Sequence, residues 1–486
     1  MTTNATAGVL FEMEAQVSPE VSPVPAGAAR TFRRYDQHQS FLLPPSLDDW
    51  LPEGHCARFI SEVVDSMLDL SGVYDAYLVA DGAPPYDPAM MLKILLYGYS
   101  SGVTSSREMQ RRCQIDVAFR WLSANAAPDY RSIARFRRRH LSALDALFIQ
   151  VLHLCATAGL VKLGRVALDG TKLRANASRH KAMSYERLGP RITEIESQVK
   201  AMLAEAEAAD LAEDDAYGAE RRGDELPKEL ATREGRLAKL REAKESLEQA
   251  ARERDSAEAS DQAKRHGANE HEVTGAAQRA ANAAVPEPRA QRNFTDPESR
   301  MMKTNDGFHY AYNAQAVVDE GAQVILAANL SQRATDVGEL FNMVEATTAN
   351  LTAVGISDQP RVVLADAGYC SKDNLETAAS HDTDFLIATG RRKHHERVLA
   401  PRGPVPKDAT AKQLMARRLR TKAGSADYAR RKAIVEPVFG QMKVRQQAGQ
   451  LRLRGLVGAQ GEWTLHALCH NLRKLANAQT VNWATT

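Results

Sequence analysis

Two short apolar runs, each ending on an aspartate, do most to restrict the folds open to this chain. Val166, Ala167 and Leu168 lead into Asp169 and Gly170, and the segment Arg361 to Ala365 leads into Asp366, Ala367, Gly368 and Tyr369. Such runs, bounded by Asp and Gly, read as buried strands with a polar end. Each holds an acid at the tip of a core strand. One such strand taken alone is an ordinary turn; two of the same form, far apart in sequence, suggest a shared sheet whose edge collects carboxylates.

The rest of the chain has to supply that sheet. At 486 residues with 44% hydrophobic content, it can bury more than one core, and about two to four domains is the prior. Lys and Arg number 63 against 61 Asp and Glu, and the net charge of +2 selects no partner by itself. Their distribution is more informative. Acidic residues crowd the middle, while basic ones cluster at 131–139, 391–397 and 417–445, a segregation that suits a polyanionic partner as well as solvated surface. Cys56, Cys113, Cys155, Cys370 and Cys469 are scattered without paired spacing, which suggests neither a disulfide framework nor a zinc site and fits a reducing cytoplasm. The N-terminus has no basic segment followed by an apolar core, and no run of about 18 apolar residues occurs, so export and membrane insertion are not expected.

Residues 1–30 lack a usable period and read as a disordered tail. From Pro44 to Leu160 apolar residues recur at three and four, predicting short helices over 57–70, 88–99, 105–112, 117–122 and 132–158. Ser132 is the expected N-cap of the last, whose first turns carry Arg131, Arg135, Arg137, Arg138 and Arg139, with Ile133, Phe136 and Leu141 as anchors. Short helices leading to an Arg-rich helix have the form of a helix-turn-helix whose second helix lies in a DNA groove.

From Tyr185 to Lys264 the composition turns to Ala, Glu, Lys, Arg and Leu. Apolar heptad positions fall at Ile192, Ile195, Val199 and Met202, then at Leu230, Leu237, Leu240 and Leu247. With Gly218, Gly223 and Pro227 between the runs, this predicts an antiparallel helical hairpin, followed by a flexible return over 265–295. Strands resume as a β-hairpin, 308–318 and 323–328, turning at Asp319, Glu320 and Gly321. A helix over 336–351, the strand ending on Asp366, a strand over 385–388, a helix from near Tyr428 or Glu436 through Arg445, and a last amphipathic helix over 463–476 complete the order.

That order is the layout of a ribonuclease H-like fold, in which the first and fourth strands run parallel side by side. Asp169 and Asp366 would then be neighbours at the ligand edge of the sheet. On the late helix Glu436, Gly440 and Lys443 share a face while Val435, Val438, Phe439 and Met442 pack inward; Pro437 requires that the helix start near Glu436 or kink there. Clustered carboxylates repel one another, and divalent cations relieve this: Mg²⁺ takes oxygen ligands, and two ions about 3.5 to 4 Å apart support in-line phosphoryl displacement. Lys443, Lys432 and Arg431 would meet the phosphate backbone. Asp306, Asp319 and Asp373 suit turns or caps better, and the adjacent His394 and His395 point apart, against a metal role.

Several pieces in this order resemble the DDE transposases of bacterial insertion sequences: Ser105 to Glu108; Pro128 and Asp129 leading to Phe136 and Arg137; LDGTKLRANAS from Leu168; YNAQAVVD from Tyr312; ADAGY from Ala365; and VEPVFGQMK from Val435. The resemblance spans about Tyr35 to Ala476 and implies that Asp169, Asp366 and Glu436 form a catalytic triad holding two Mg²⁺ or Mn²⁺ ions. Related helices carry Tyr, Arg, Glu and Lys at fixed spacing; here Glu436 and Lys443 match, Lys432 takes the place of Arg, and Tyr428 falls one position early.

The expected organisation is an α+β multidomain chain. It comprises a disordered tail (1–30), an N-terminal all-α DNA-binding domain (31–160), a ribonuclease H-like mixed-sheet α/β catalytic core (161–184 and 296–480), and a helical-hairpin insert with its flexible return (185–295). The expected function is to bind terminal inverted repeats in double-stranded DNA, cleave with divalent metal and transfer 3′ ends to target DNA, as a homodimer, in the cytoplasm at the nucleoid. The alternatives are a nuclease that does not join and an inactive transposase-derived DNA-binding protein.

Overall fold

Apolar spacing and capping residues together set the first helices: Cys56–Ser66, Pro88–Ser101, Ser106–Ile115, Val117–Leu122, Tyr130–Arg139 and Leu141–Thr157. The computed structural model describes residues 46–77, 85–178, 182–217, 228–304, 306–390, 400–406 and 408–483. The expected tail, the break at Gly218, Gly223 and Pro227, the side chain of Leu230, and the His394 and His395 pair lie outside the described residues. Two expectations are corrected. The N-cap of Tyr130–Arg139 is Asp129, which accepts from Arg131 N at 2.8 Å and Ser132 N at 3.2 Å, while Ser132 Oγ donates to its second oxygen at 2.6 Å. The single helix expected over 132–158 is two helices bent by 72° at His140, whose ring packs on Phe136 and whose Nε2 lies 3.1 Å from Tyr77 Oη.

The strands are β1 (Arg165–Arg174), β2 (Ala182–Ser184), β3 (Gln291–Asn293), β4 (Arg300–Thr304), β5 (Gly307–Asp319), β6 (Ile325–Ser331), β7 (Val362–Ala365) and β8 (Asp384–Ile387). The main sheet runs β6-β5-β1-β7-β8, with β4 paired to the beginning of β5, and β2 and β3 form a separate pair. Pairing is antiparallel on the β5 side of β1 and parallel on the β7 side. The hairpin turn between β5 and β6 is fixed by Asp319, whose carboxylate accepts from Lys162, Leu163 and Gly321 N–H groups at 3.2, 2.8 and 2.8 Å.

β1 is longer than its apolar run. β7 leaves it after Leu168, opposite Ala365, but β5 continues to pair through Arg174. Gly170 is therefore a strand residue and not a turn. Its role is close approach: a Cβ there would overlap the Gln315 amide and lie 2.8 Å from Asp336 Oδ1.

Between β1 and β5 the chain makes the helices Tyr185–Tyr217 and Lys228–Arg265. Leu188, Ile192, Ile195 and Val199 of the first bury against Leu237, Leu240, Ala243 and Leu247 of the second. Contacts from Tyr185 to Glu248 and from Glu196 to Arg241 make the pair antiparallel. The return is not the flexible segment expected: Glu270–Ala283 is a helix opened by a capping box between Asn269 and Glu272.

One buried apolar cluster joins the N-terminal helices to the sheet. The helix Leu456–Trp483 links them. Trp463 Nε1 donates to Gln315 O at 3.0 Å, the Asn471 amide exchanges two 2.8 Å hydrogen bonds with the Ile325 backbone, and Glu462 accepts from Tyr99 Oη at 2.7 Å.

Candidate active site

The site lies where β7 leaves β1. Leu168 and Ala365 are the last paired residues, so Asp169 and Asp366 follow side by side on the two strands. Asp366 caps the turn Ala367–Tyr369 through Gly368 N at 2.7 Å. Asp169 accepts from Gly170 N at 2.9 Å and from Arg431 Nη1 at 2.9 Å. Burial pushes the Asp169 carboxyl above the usual range; Arg431 opposes this shift and Asp366 adds to it.

The helix Arg431–Arg445 covers the face of β1 that carries Asp169 and Thr171. Ile434, Val435, Val438, Phe439 and Met442 are buried beneath it. It begins ahead of Glu436 and continues through Pro437, and the Ala433 carbonyl, to which Pro437 has no N–H to donate, accepts instead from Gln323 Nε2 at 3.0 Å. Arg431, at its beginning, is buried; burial lowers its pKa, but Asp169, with Tyr428 and Asp366, more than offsets this. Lys443, near its end, donates to Thr171 Oγ1, and burial lowers its pKa against the pull of Asp169 and Asp306. Lys432 and Glu436 are exposed. Among the described residues no three carboxylates, imidazoles or thiols stand together as a metal-ligand group, so Glu436 is not gathered with the aspartate pair.

The sequence reading missed a third acid, Asp336, on the loop after β6. It accepts from Lys172 Nζ at 3.1 Å, Asn313 Nδ2 at 2.7 Å and Gln315 Nε2 at 2.9 Å. The buried Tyr369 hydroxyl donates to Gln315 Oε1, which turns the amide nitrogen of Gln315 toward Asp336. Burial, then the charges of Asp336, Asp169 and Asp366, hold that hydroxyl far above its usual pKa, so it stays protonated. A Cβ on Gly368 would stand 2.9 Å from Asp366 Oδ1 and 3.2 Å from Asp336 Oδ2, so glycine lets the two acids flank one turn.

Two buried or half-buried aspartates with cations beside them suit a hard divalent ion, which needs one or two carboxylates and leaves room for phosphate oxygens. The donor chemistry of Asp169 and Asp366 fits such an ion, with Arg431 supplying the compensating charge in this structure.

Two family models match the chain, a transposase domain (DUF772) over residues 45–139 and a transposase DDE domain over residues 266–472. The chain belongs to the DDE-type insertion-sequence transposases. No curated protein and no solved structure matches it. In the transposase, Asp366 and Glu436 fall inside the DDE match, whereas β1 with Asp169 lies between the two matched segments and is tied to Asp366 by the sheet register.

The expected DNA-reading arginines divide. Arg135 and Arg138 are exposed. Arg139 donates to Ala76 O and stacks on Tyr77. Arg137 differs from the surface position expected: it is buried and donates to Tyr99 Oη at 2.7 Å and Thr104 O at 3.0 Å. Among the competing acids, Asp306 pairs with Arg174, and the cap expected of Asp373 is made by Ser371. Among the described residues no single helix is long and apolar enough to cross a membrane.

Proposed function

We propose that the transposase cleaves DNA phosphodiester bonds and transfers the freed 3′ ends at the end of the β1–β7 pair, with Asp169, Asp366 and Glu436 as catalytic carboxylates of a ribonuclease H-like core. The observation that carries this is the parallel register, which sets two aspartates from distant parts of the chain side by side at a strand end. The strand order, with antiparallel neighbours on one side of β1 and parallel ones on the other, supports the ribonuclease H-like assignment.

Asp169 and Asp366 would hold Mg²⁺ or Mn²⁺ from the strand ends, and Glu436 would join them from the overlying helix. Two bound ions would supply activation of a water or 3′-hydroxyl and stabilisation of the leaving oxygen. Arg431 orients the Asp169 carboxylate, and Lys443, steered by Thr171, meets phosphate beside it. Lys432, exposed on the same helix, faces the approaching backbone.

The helical part (31–160) binds the terminal inverted repeats through Arg135, Arg138 and Arg139, the core is 161–184 with 296–480, and the helical insert (185–295) dimerises the protein or clamps DNA. Two ends need two sites, so a homodimer assembles on the DNA, at the nucleoid in the cytoplasm. The test supplies the DNA flanking the coding region as labelled duplex ends, with a plasmid and Mg²⁺. Joined products are expected. Hydrolysis alone would replace transposition with simple nuclease activity, and no cleavage by the intact protein would remove the reading.

A further inference from the structure

The segment Gln450 to Gly455 reads Gln-Leu-Arg-Leu-Arg-Gly and alternates in burial: Leu451 and Leu453 are buried, Arg452 and Arg454 exposed. Its backbone is pinned from beneath. Fully buried Glu462 accepts from Arg452 N and Leu453 N at 2.7 and 2.8 Å, Asp296 accepts from Gly455 N at 3.1 Å, and Glu298 accepts from Leu456 N at 2.7 Å. Leu451 N also donates to Arg174 O at 2.8 Å, which docks the segment against the part of β1 that β7 has left. Three acids and a strand thus hold a short, bent segment that buries both leucines and leaves both guanidinium groups exposed.

Arg452 lies between two grooves and lines both. One extends past Lys303 and Lys443 to Gly170 and Thr171, beside Asp169; the other extends past Arg454 to Arg138 on the Arg-rich helix. Arg138, Lys303, Arg452 and Arg454 have no carboxylate partner among the described residues, whereas Arg174 is neutralised by Asp306. Unpaired cations on a rigid backbone repel one another in the free protein, and a polyanion relieves that repulsion with little ordering cost.

We propose that these two adjoining grooves bind the sugar-phosphate backbone of DNA between the carboxylate site and the helical part, with Arg138, Lys303, Arg452 and Arg454 each meeting a phosphate. It rests on the reading of the site as one that cuts DNA. The contacts are to phosphates, so they are independent of sequence and act through counterion release.

The test measures anisotropy of a fluorescein-labelled duplex of unrelated sequence, titrated with the full chain over a range of salt. Arg452→Ala with Arg454→Ala is expected to weaken binding about tenfold or more and to reduce the slope of log K against log salt by about 2; Lys303→Ala should reduce it by about 1. Arg452→Lys with Arg454→Lys keeps the charge and should keep the slope. Lys303 and Arg138 make no side-chain hydrogen bond among the described residues, so their alanine variants carry the test if the double variant melts early. Unchanged affinity and slope in these alanine variants would overturn phosphate binding in these grooves. Loss of cleavage in the intact protein with Mg²⁺ would instead remove the reading it rests on, and the binding measurement separates the two failures.

Discussion

At the scale of single residues, Asp336 gathers three donors beside the aspartate pair. Its carboxylate is the acceptor for Lys172, Asn313 and Gln315 together, and Tyr369 fixes which end of Gln315 it meets. Asp336→Ala would strand all three donors. Removing a shared acceptor costs about 1–3 kcal/mol, and urea unfolding should show a loss of that order together with slower cleavage. An unchanged midpoint and rate would mean that water replaces the carboxylate without consequence. Arg431→Ala is expected to destabilise by a similar about 1–3 kcal/mol, because it leaves the Asp169 carboxylate, already pushed toward its neutral form by burial, without its cation. Neither role was legible beforehand. Asp336 sits in Ala-Thr-Asp-Val-Gly, a context that reads as a helix start, and Arg431 and Lys432 are adjacent in sequence. Only the helix phase decides that the first of these turns to Asp169 while the second faces water.

Among elements, the helix Arg431–Arg445 was legible where its apolar positions repeat and illegible where it depends on a distant partner. Val435, Val438, Phe439 and Met442 face inward as their spacing predicts. Continuity through Pro437 depends on Gln323, from the turn between β5 and β6, reaching the Ala433 carbonyl. Gln323→Ala should therefore cost about 1–2 kcal/mol in the intact sequence, where it removes the bonds to Ala433 and Lys474, and less in a Pro437→Ala background, where the helix supplies its own donor and only the Lys474 bond is lost; equal costs in both backgrounds of a double-mutant cycle would contradict the compensation. Strand β1 carries the same lesson. Its apolar run ends at Leu168, and the remaining residues to Arg174 are strand only because β5 extends beside them. The helix Glu270–Ala283 is a different case, since Asn269 and Glu272 gave a readable capping box within a segment whose Ala-rich, Pro-flanked composition reads as flexible. The Leu-Arg alternation at 451–454 was readable too, but not the buried acids that orient it.

Across the whole molecule, the helical part and the sheet share one core through the helix Leu456–Trp483, so they are expected to unfold together rather than in separate steps. That helix buries His466 and His470. Burial, aided by Arg137, takes His466 from 6.5 down to about 3, and burial, aided by Lys474 and Arg473, takes His470 down to about 4. Both are neutral when folded near neutral pH, while the unfolded chain takes up protons as pH falls through 6.5. The stability they contribute is present above that value and is lost progressively toward pH 4 and below. The denaturant midpoint should fall between pH 7 and pH 5, and His470→Gln should flatten that dependence; an equal slope in the variant would contradict it. The part played by the carboxylate pair is read from the rate of strand cleavage on matched DNA ends with Mg²⁺ for the intact protein, Asp169→Asn and Asp366→Asn, with DNA binding measured in parallel. Each substitution is expected to lower cleavage by about 10²–10³-fold or more while binding stays within about twofold. Cleavage at the intact rate by either variant would contradict that role.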